Sequence, residues 1–137
     1  HHCVPNSVVY TGTHDNDTTV GWYQNSSTED ERHHMRVYLA TDGGLPHWDL
    51  IRAAYSSAAH TAVIPMQDFL GLGSECRMNY PGRAEGNWTW RLQWEQITGE
   101  LTDHIRHFNL MYQRHSDPPA IALEEDDEER RNYISEE

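Results

Sequence analysis

Lysine is absent from this chain: all ten basic residues are arginine, against 22 acids, and the formal net charge is −12. A nucleic-acid partner is excluded on that ground, because phosphate recognition needs a basic patch that these residues do not form. Cysteine is scarce, with only Cys3 and Cys76 and no Cys-x-x-Cys spacing. That rules out a secreted disulfide framework and predicts free thiols in a reducing compartment, hence a cytoplasmic location. No apolar run approaches the roughly 18 residues that a membrane span needs, so no membrane partner is expected. The arginine bias fits a G+C-rich genome or, joined to the acidic surplus, a salty cytosol.

What is present is unevenly distributed. Residues 116–137 hold nine acids against two arginines, seven of the twelve net negative charges. They read as an acidic, disordered tail behind a folded segment at 1–115. Within that segment, Val8-Val-Tyr10 and Ala62-Val-Ile64 predict two strands. The connection between them is long and helical, which suits a crossover between parallel strands and excludes a hairpin. Thr19 to Gln24 reads as a short helical turn. Thr28-Glu-Asp-Glu31 has capping-box spacing and opens a helix to about Thr41, which Gly43 and Gly44 are expected to stop. Pro46 opens another, to about Ala59, with Trp48, Ile51, Ala54, Tyr55 and Ala58 as its core stripe. The last helix spans about Glu95 to Arg114, with Ile97, Leu101, Ile105, Phe108 and Tyr112 as its core face, and Gly99 weakens its first turn, so that the regular part is expected after it.

The first strand runs directly into His14, Asp15, Asn16 and Asp17. In sheets built from βα units, ligands bind beyond the carboxyl ends of the strands, so a site is expected here. The same residues also suit a helix cap, since Asp15, Asn16, Asp17 or Thr18 can each accept from the first turn of a helix starting near Thr19. Spacing leaves both readings open. A calcium loop fails, because the sixth and twelfth positions counted from Asp15 are Val20 and Ser26 instead of Gly and Glu. The histidines lack zinc-ligand spacing, so no metal is expected. A Cys76–His14 nucleophile pair has residue type alone in its favour.

Several uncommon groups recur at long spacing: Tyr10-Thr-Gly-Thr-His-Asp-Asn-Asp-Thr18, Gly21-Trp22-Tyr23, Pro65-Met-Gln-Asp68, Arg77-Met-Asn79, Pro81-Gly82, Asn87-Trp88 and Trp90-Arg91. Over about residues 5–112 this set resembles the C-terminal part of the 4-α-glucanotransferases, the amylomaltase or disproportionating-enzyme family related to the α-amylases. The resemblance implies an α/β fold. The chain would be the last two βα units of a (β/α)8 barrel, mostly helical, with two short parallel strands, Val8 to Thr11 as the seventh and Thr61 to Pro65 as the eighth. It also implies a C-terminal fragment of a longer enzyme, whose N-terminal remainder is its partner. The substrate would be an α-1,4-glucan or maltooligosaccharide, with no cofactor.

In such an enzyme a retaining double displacement moves a glucan segment to the 4-hydroxyl of an acceptor, using a nucleophilic Asp and an acid/base Glu. Both would lie upstream of residue 1. Asp15 matches the third acid, which stabilises the transition state, and His14 would hydrogen-bond the same sugar. Asn16, Gln67, Arg77 and Asn79 complete the implied substrate-binding set. Asn16 can equally cap a helix, Gln67 and Asp68 can orient the acids, and Arg77 can pair with a catalytic carboxylate. Trp88 and Trp90 can stack on sugars or anchor the loop. Two rivals stand beside this reading: a non-catalytic carbohydrate-binding module built from Trp22, Trp88 and Trp90, and an acidic interaction segment on a degenerate domain. Isolated, the chain is expected to be unstable and inactive.

Overall fold

The computed structural model describes residues 3–115, so the expected tail at 116–137 lies outside the described residues. β1 (Val8–Tyr10) and β2 (Thr61–Val63) pair in parallel, with Val8 opposite Thr61, Val9 opposite Ala62 and Tyr10 opposite Val63. Both strands begin where the resemblance implies, at Val8 and Thr61, and stop sooner than Thr11 and Pro65. Thr11 turns its hydroxyl to Asp68, and Pro65, with no N–H to give a ladder, instead precedes a helical turn. The pleat sends Ala62 toward a core of Ile51, Tyr55 and Phe108. Val8, Tyr10 and Val63 are exposed on the opposite face. Parallel sheets are ordinarily covered on both faces, whereas this apolar face is uncovered among the described residues.

Between the strands lie α1 (Thr19–Gly21), a π-helical turn (Trp22–Ser26), α2 (Glu29–Leu39) and α3 (Pro46–Tyr55). The capping box at the start of α2 forms as predicted: Thr28 Oγ1 accepts from the Glu31 N–H at 3.2 Å, and Glu31 Oε2 accepts from the Thr28 N–H at 2.7 Å. Its end differs from expectation. Ala40, in the left-handed region at φ 52°, closes the helix ahead of Gly43 and Gly44. α3 also stops short of Ala59, because its terminal carbonyls bend onto the Arg114 guanidinium. Ala58 is accordingly exposed and outside the helical stripe, whereas Ile51, Ala54 and Tyr55 are buried.

After β2 come α4 (Met66–Phe69), two 3-10 turns (Ser74–Cys76 and Trp94–Gln96) and α5 (Gly99–Met111). α5 starts later than Glu95 because Thr98 accepts from the Leu101 N–H and makes Gly99 the first helical residue. Phe108 sits in the core against Trp48, Tyr55 and Tyr112. No helix among the described residues is long and apolar enough to cross a membrane.

His47, in the first turn of α3, has a buried Nδ1 with no hydrogen-bond partner among the described residues. Its ring lies over Gly71, at φ 64°, where a Cβ would come within 3.0 Å. Burial holds the imidazole below its ordinary range, opposed in part by Asp68 and Asp49. The folded chain therefore keeps His47 neutral at a pH where the unfolded chain takes up a proton. That contribution to stability is complete above about pH 6.5 and is lost as pH falls through the folded pKa. Melting temperatures of the full-length protein at acidic and neutral pH should differ less for His47→Gln than for wild type; equal differences would exclude the effect.

Candidate active site

Thr18, not an acid, caps α1: its hydroxyl accepts from the Gly21 N–H at 3.0 Å. The residues before it are thereby released from capping. Asn16 Oδ1 accepts from the Thr13 N–H at 2.8 Å and from the Thr13 hydroxyl at 2.9 Å, closing a tight turn. Asp17 accepts from the Thr18 N–H at 2.9 Å and from the Ser74 hydroxyl at 2.8 Å. Only glycine fits at position 21 beside this pair, since a Cβ there would collide with Ser74 Oγ and the Asp17 carboxyl. His14 and Asp15 form the crest of the loop, with side chains 57% and 52% exposed and His14 Nε2 3.5 Å from Asp15 Oδ1.

The loop after β2 grips that crest. Asn79 donates through Nδ2 to Asp15 Oδ1 at 2.6 Å, and its own N–H reaches the His14 carbonyl at 3.1 Å. Arg77 donates to the Asp15 carbonyl at 2.6 Å and to the Asn79 carbonyl at 2.8 Å. It therefore holds the main chain of Asp15 and not its carboxyl group. Its guanidinium lies 4.5 Å from the centre of the Tyr80 ring, and that of Arg83 lies 4.3 Å from the same centre. Such cation–π contacts fix an arginine's orientation at little entropic cost. Gln67 is buried and donates to the Cys76 carbonyl at 3.3 Å, tying the loop to α4.

Trp88 adopts a left-handed backbone at φ 60°, uncommon for a bulky residue, and its N–H donates to the Met78 carbonyl at 2.7 Å. Its half-exposed indole lies 5.1 Å from the His14 ring, centre to centre. Trp22 faces elsewhere, lining a groove between α2 and α3 with Met35, Tyr38 and Leu50. Trp22 and Trp88 therefore do not share one sugar-stacking platform. Cys76 makes a poor nucleophile, because burial pushes its thiol up and the neighbouring acid Glu75 pushes it further.

Above the carboxyl ends of the strands opens a cleft of about 450 Å³. Tyr10, Val63 and Pro65 form its apolar side, and His14, Asn16, Gln67 and Arg77 bring polar groups. Asp15 and Asn79, paired beside it, do not line it. The structure thus brings His14, Asp15, Asn79 and Arg77 into one bonded cluster across two loops. It gives Asn16 a turn-closing role at the cleft wall and Gln67 a bond to the loop main chain. Two contributors escaped the sequence reading: Ser74, held against Asp17, and Tyr80, under both arginines. A hydroxyl after Gly73 and a tyrosine beside Asn79 carry no local signal of such partners.

A family model described as 4-alpha-glucanotransferase matches residues 1–98. A 4-alpha-glucanotransferase from Synechocystis sp. is 50% identical over 109 residues, covering 80% of this chain and 22% of that protein. One from Thermus thermophilus is 52% identical over 102 residues, covering 69% and 19% respectively. Among solved structures, the amylomaltase from Streptococcus agalactiae in complex with acarbose superimposes with a TM-score of 0.77 at 29% identity, over 82% of this chain and 23% of the other. The chain spans about a fifth of the length of the curated relatives it matches. The matched stretch contains both strands and the whole paired-loop cluster, and on that match the chain belongs to the 4-alpha-glucanotransferase family.

Proposed function

We propose that this chain is the C-terminal segment of a 4-α-glucanotransferase and forms the last two βα units of its (β/α)8 barrel. In that enzyme a segment of an α-1,4-glucan passes to the 4-hydroxyl of an acceptor sugar by a retaining double displacement. One observation carries the reading: the Asp15 carboxyl, half exposed beyond the ends of two parallel strands, is aimed by the Asn79 amide and flanked by His14. The exposed face of Val8, Tyr10 and Val63 supports the barrel assignment, since strands from the remainder of the enzyme would cover it.

The division of labour follows from the residues. The nucleophilic Asp and the acid/base Glu belong to the N-terminal remainder. Asp15 and His14 accept and donate hydrogen bonds at hydroxyls of the sugar whose bond is cut. Such bonds accelerate the step to the extent that they tighten as the ring flattens toward an oxocarbenium-like transition state. Asn79 keeps the carboxyl oriented before the sugar arrives, which removes a reorganisation that the reaction would otherwise include. Transfer also requires that water be kept from the glycosyl-enzyme, which falls to the assembled cleft. Without the upstream acids the isolated chain has no means of cleaving the bond and is expected to be inactive.

The test is product analysis of the full-length enzyme with maltotriose. Glucose with a ladder of longer maltodextrins is expected, and glucose with maltose alone, or no reaction, would contradict transfer. Asn79→Ala leaves the Asp15 carboxyl without its donor and is expected to lower kcat about 10- to 100-fold, on the scale that a misplaced catalytic group costs. Steady-state kinetics on maltotriose would show it; an unchanged kcat would make Asn79 dispensable.

A further inference from the structure

The loop that carries His14 and Asp15 leaves β1 and enters α1 at two points held by one buried side chain. Asp68 is 2% exposed. Its Oδ2 accepts from the Thr11 hydroxyl at 2.5 Å, at the end of β1, and its Oδ1 accepts from the Thr19 N–H at 2.8 Å, at the first residue of α1. The stretch from Gly12 to Thr18 lies between those two bonds. Asp68 itself belongs to the other βα unit. It lies on α4, where its own N–H donates to the Pro65 carbonyl at 2.9 Å. No arginine pairs with it among the described residues, and burying an acid without a cation is costly unless its oxygens are well bonded. Two acceptor atoms, one for each end of the loop, are what an acid supplies here and an apolar residue of similar size does not.

We propose that Asp68 is a positioning residue for the glucan-transfer reaction: by holding Thr11 and Thr19 it fixes the span of the loop, and so the placement of the Asp15 carboxyl and the His14 ring. Asp68 lies at the floor of the cleft, but both its oxygens are taken by Thr11 and Thr19 and the residue is buried, so it acts through the loop. The inference rests on the role given above to Asp15. Asn79 and Arg77 hold the crest of the loop from the side, and Asp68 holds its base. A shift of about 1 Å at the base carries to the crest, and displacements of that size cost on the order of 100-fold in rate.

The test uses the full-length enzyme with maltotriose and reads kcat and KM separately, with melting temperature as the check on folding. Asp68→Ala is expected to lower kcat roughly 10- to 100-fold with KM changed by less than about threefold, the pattern of a group acting on the transition state. Asp68→Asn can keep both links, its oxygen accepting from the Thr19 N–H and its NH2 donating to the Thr11 hydroxyl, and should recover most of the loss. Thr11→Val should lower kcat on its own, Thr11→Ser should not, and Thr11→Val should add little to Asp68→Ala because the two remove the same bond.

A lowered melting temperature with unchanged kcat in Asp68→Ala would overturn the proposal, as would an effect confined to KM. If Asp68→Ala does not fold, Thr11→Val decides, and wild-type kcat in that variant would overturn the proposal. Asp15→Asn run in parallel separates the two readings. Full activity there would sink the role of Asp15, whereas an inactive Asp15→Asn beside a fully active Asp68→Ala would sink the role of Asp68 alone.

Discussion

Asp15→Asn in the full-length enzyme is expected to lower kcat on maltotriose by about 1,000-fold or more while leaving the fold intact. Asparagine has nearly the shape of aspartate, and its amide oxygen can still accept the 2.6 Å bond from Asn79. The loop therefore keeps its course, with Arg77 on the main-chain carbonyl and Asn79 on the His14 carbonyl. On the role proposed for Asp15, what is removed is an acidic group beside a ring that develops positive charge, together with one acceptor for a sugar hydroxyl. Single preorganised groups of this kind contribute roughly 3–4 kcal/mol to transition-state stabilisation, and a group acting on full charge contributes more. KM should change little, because the loss falls on the transition state. The measurement is kcat and KM beside a melting curve; a kcat within tenfold of wild type in a folded variant would remove Asp15 from the mechanism.

The second large effect concerns stability. Arg114 donates to the carbonyls of Tyr55 at 2.7 Å, Ala59 at 3.0 Å and Ser57 at 3.0 Å, with longer bonds to Ala54 and His60. Those of Tyr55, Ser57 and Ala59 lie at the end of α3 and in the turn that leads to β2, while the Ala54 carbonyl also accepts from the Ser57 hydroxyl, so one cation both satisfies the end of the helix and complements its dipole. Its guanidinium also sits 5.8 Å from the Tyr55 ring centre. Arg114→Ala leaves several half-buried carbonyls unpaired and is expected to cost about 2–4 kcal/mol, on the scale of a broken charged hydrogen-bond network. Arg114→Lys should rescue little, since an ammonium has three donors and no planar fork. Chemical denaturation of the three proteins would check it, and a loss below about 1 kcal/mol in Arg114→Ala would mean that water replaces the arginine.

The parts of this structure that rest on neighbours in sequence were legible. The capping box at Thr28 and Glu31 involves residues three apart, and each strand overlaps a short local run, Val8-Val-Tyr10 and Ala62-Val-Ile64. Distant partners hid the rest. α3 ends early because of an arginine 59 positions beyond Tyr55, and Asp15 is oriented by an asparagine 64 positions away. Neither separation leaves a periodic or local trace. The choice between cap and site at residues 15–18 could not be made from spacing, because any of those side chains has the chemistry of a cap; the hydroxyl of Thr18 takes that role and leaves the crest to His14 and Asp15. Ala40 ended α2 although two glycines stood close behind it, since a left-handed alanine costs only about 1–2 kcal/mol and its N–H finds the Arg36 and Val37 carbonyls at once.

The most direct measurement is a crystal structure of the full-length enzyme with acarbose, the compound held by the Streptococcus agalactiae amylomaltase. The sugar is expected at the mouth of the cleft beside His14, Asn16 and Arg77, with an Asp15 oxygen and a His14 ring nitrogen each within about 3.2 Å of hydroxyls on the ring next to the upstream acids. Asn79 should remain bonded to Asp15 and should not swing out to the ligand. Acarbose bound elsewhere in the barrel, or bound in the cleft with Asp15 and His14 untouched, would contradict the role assigned to this loop.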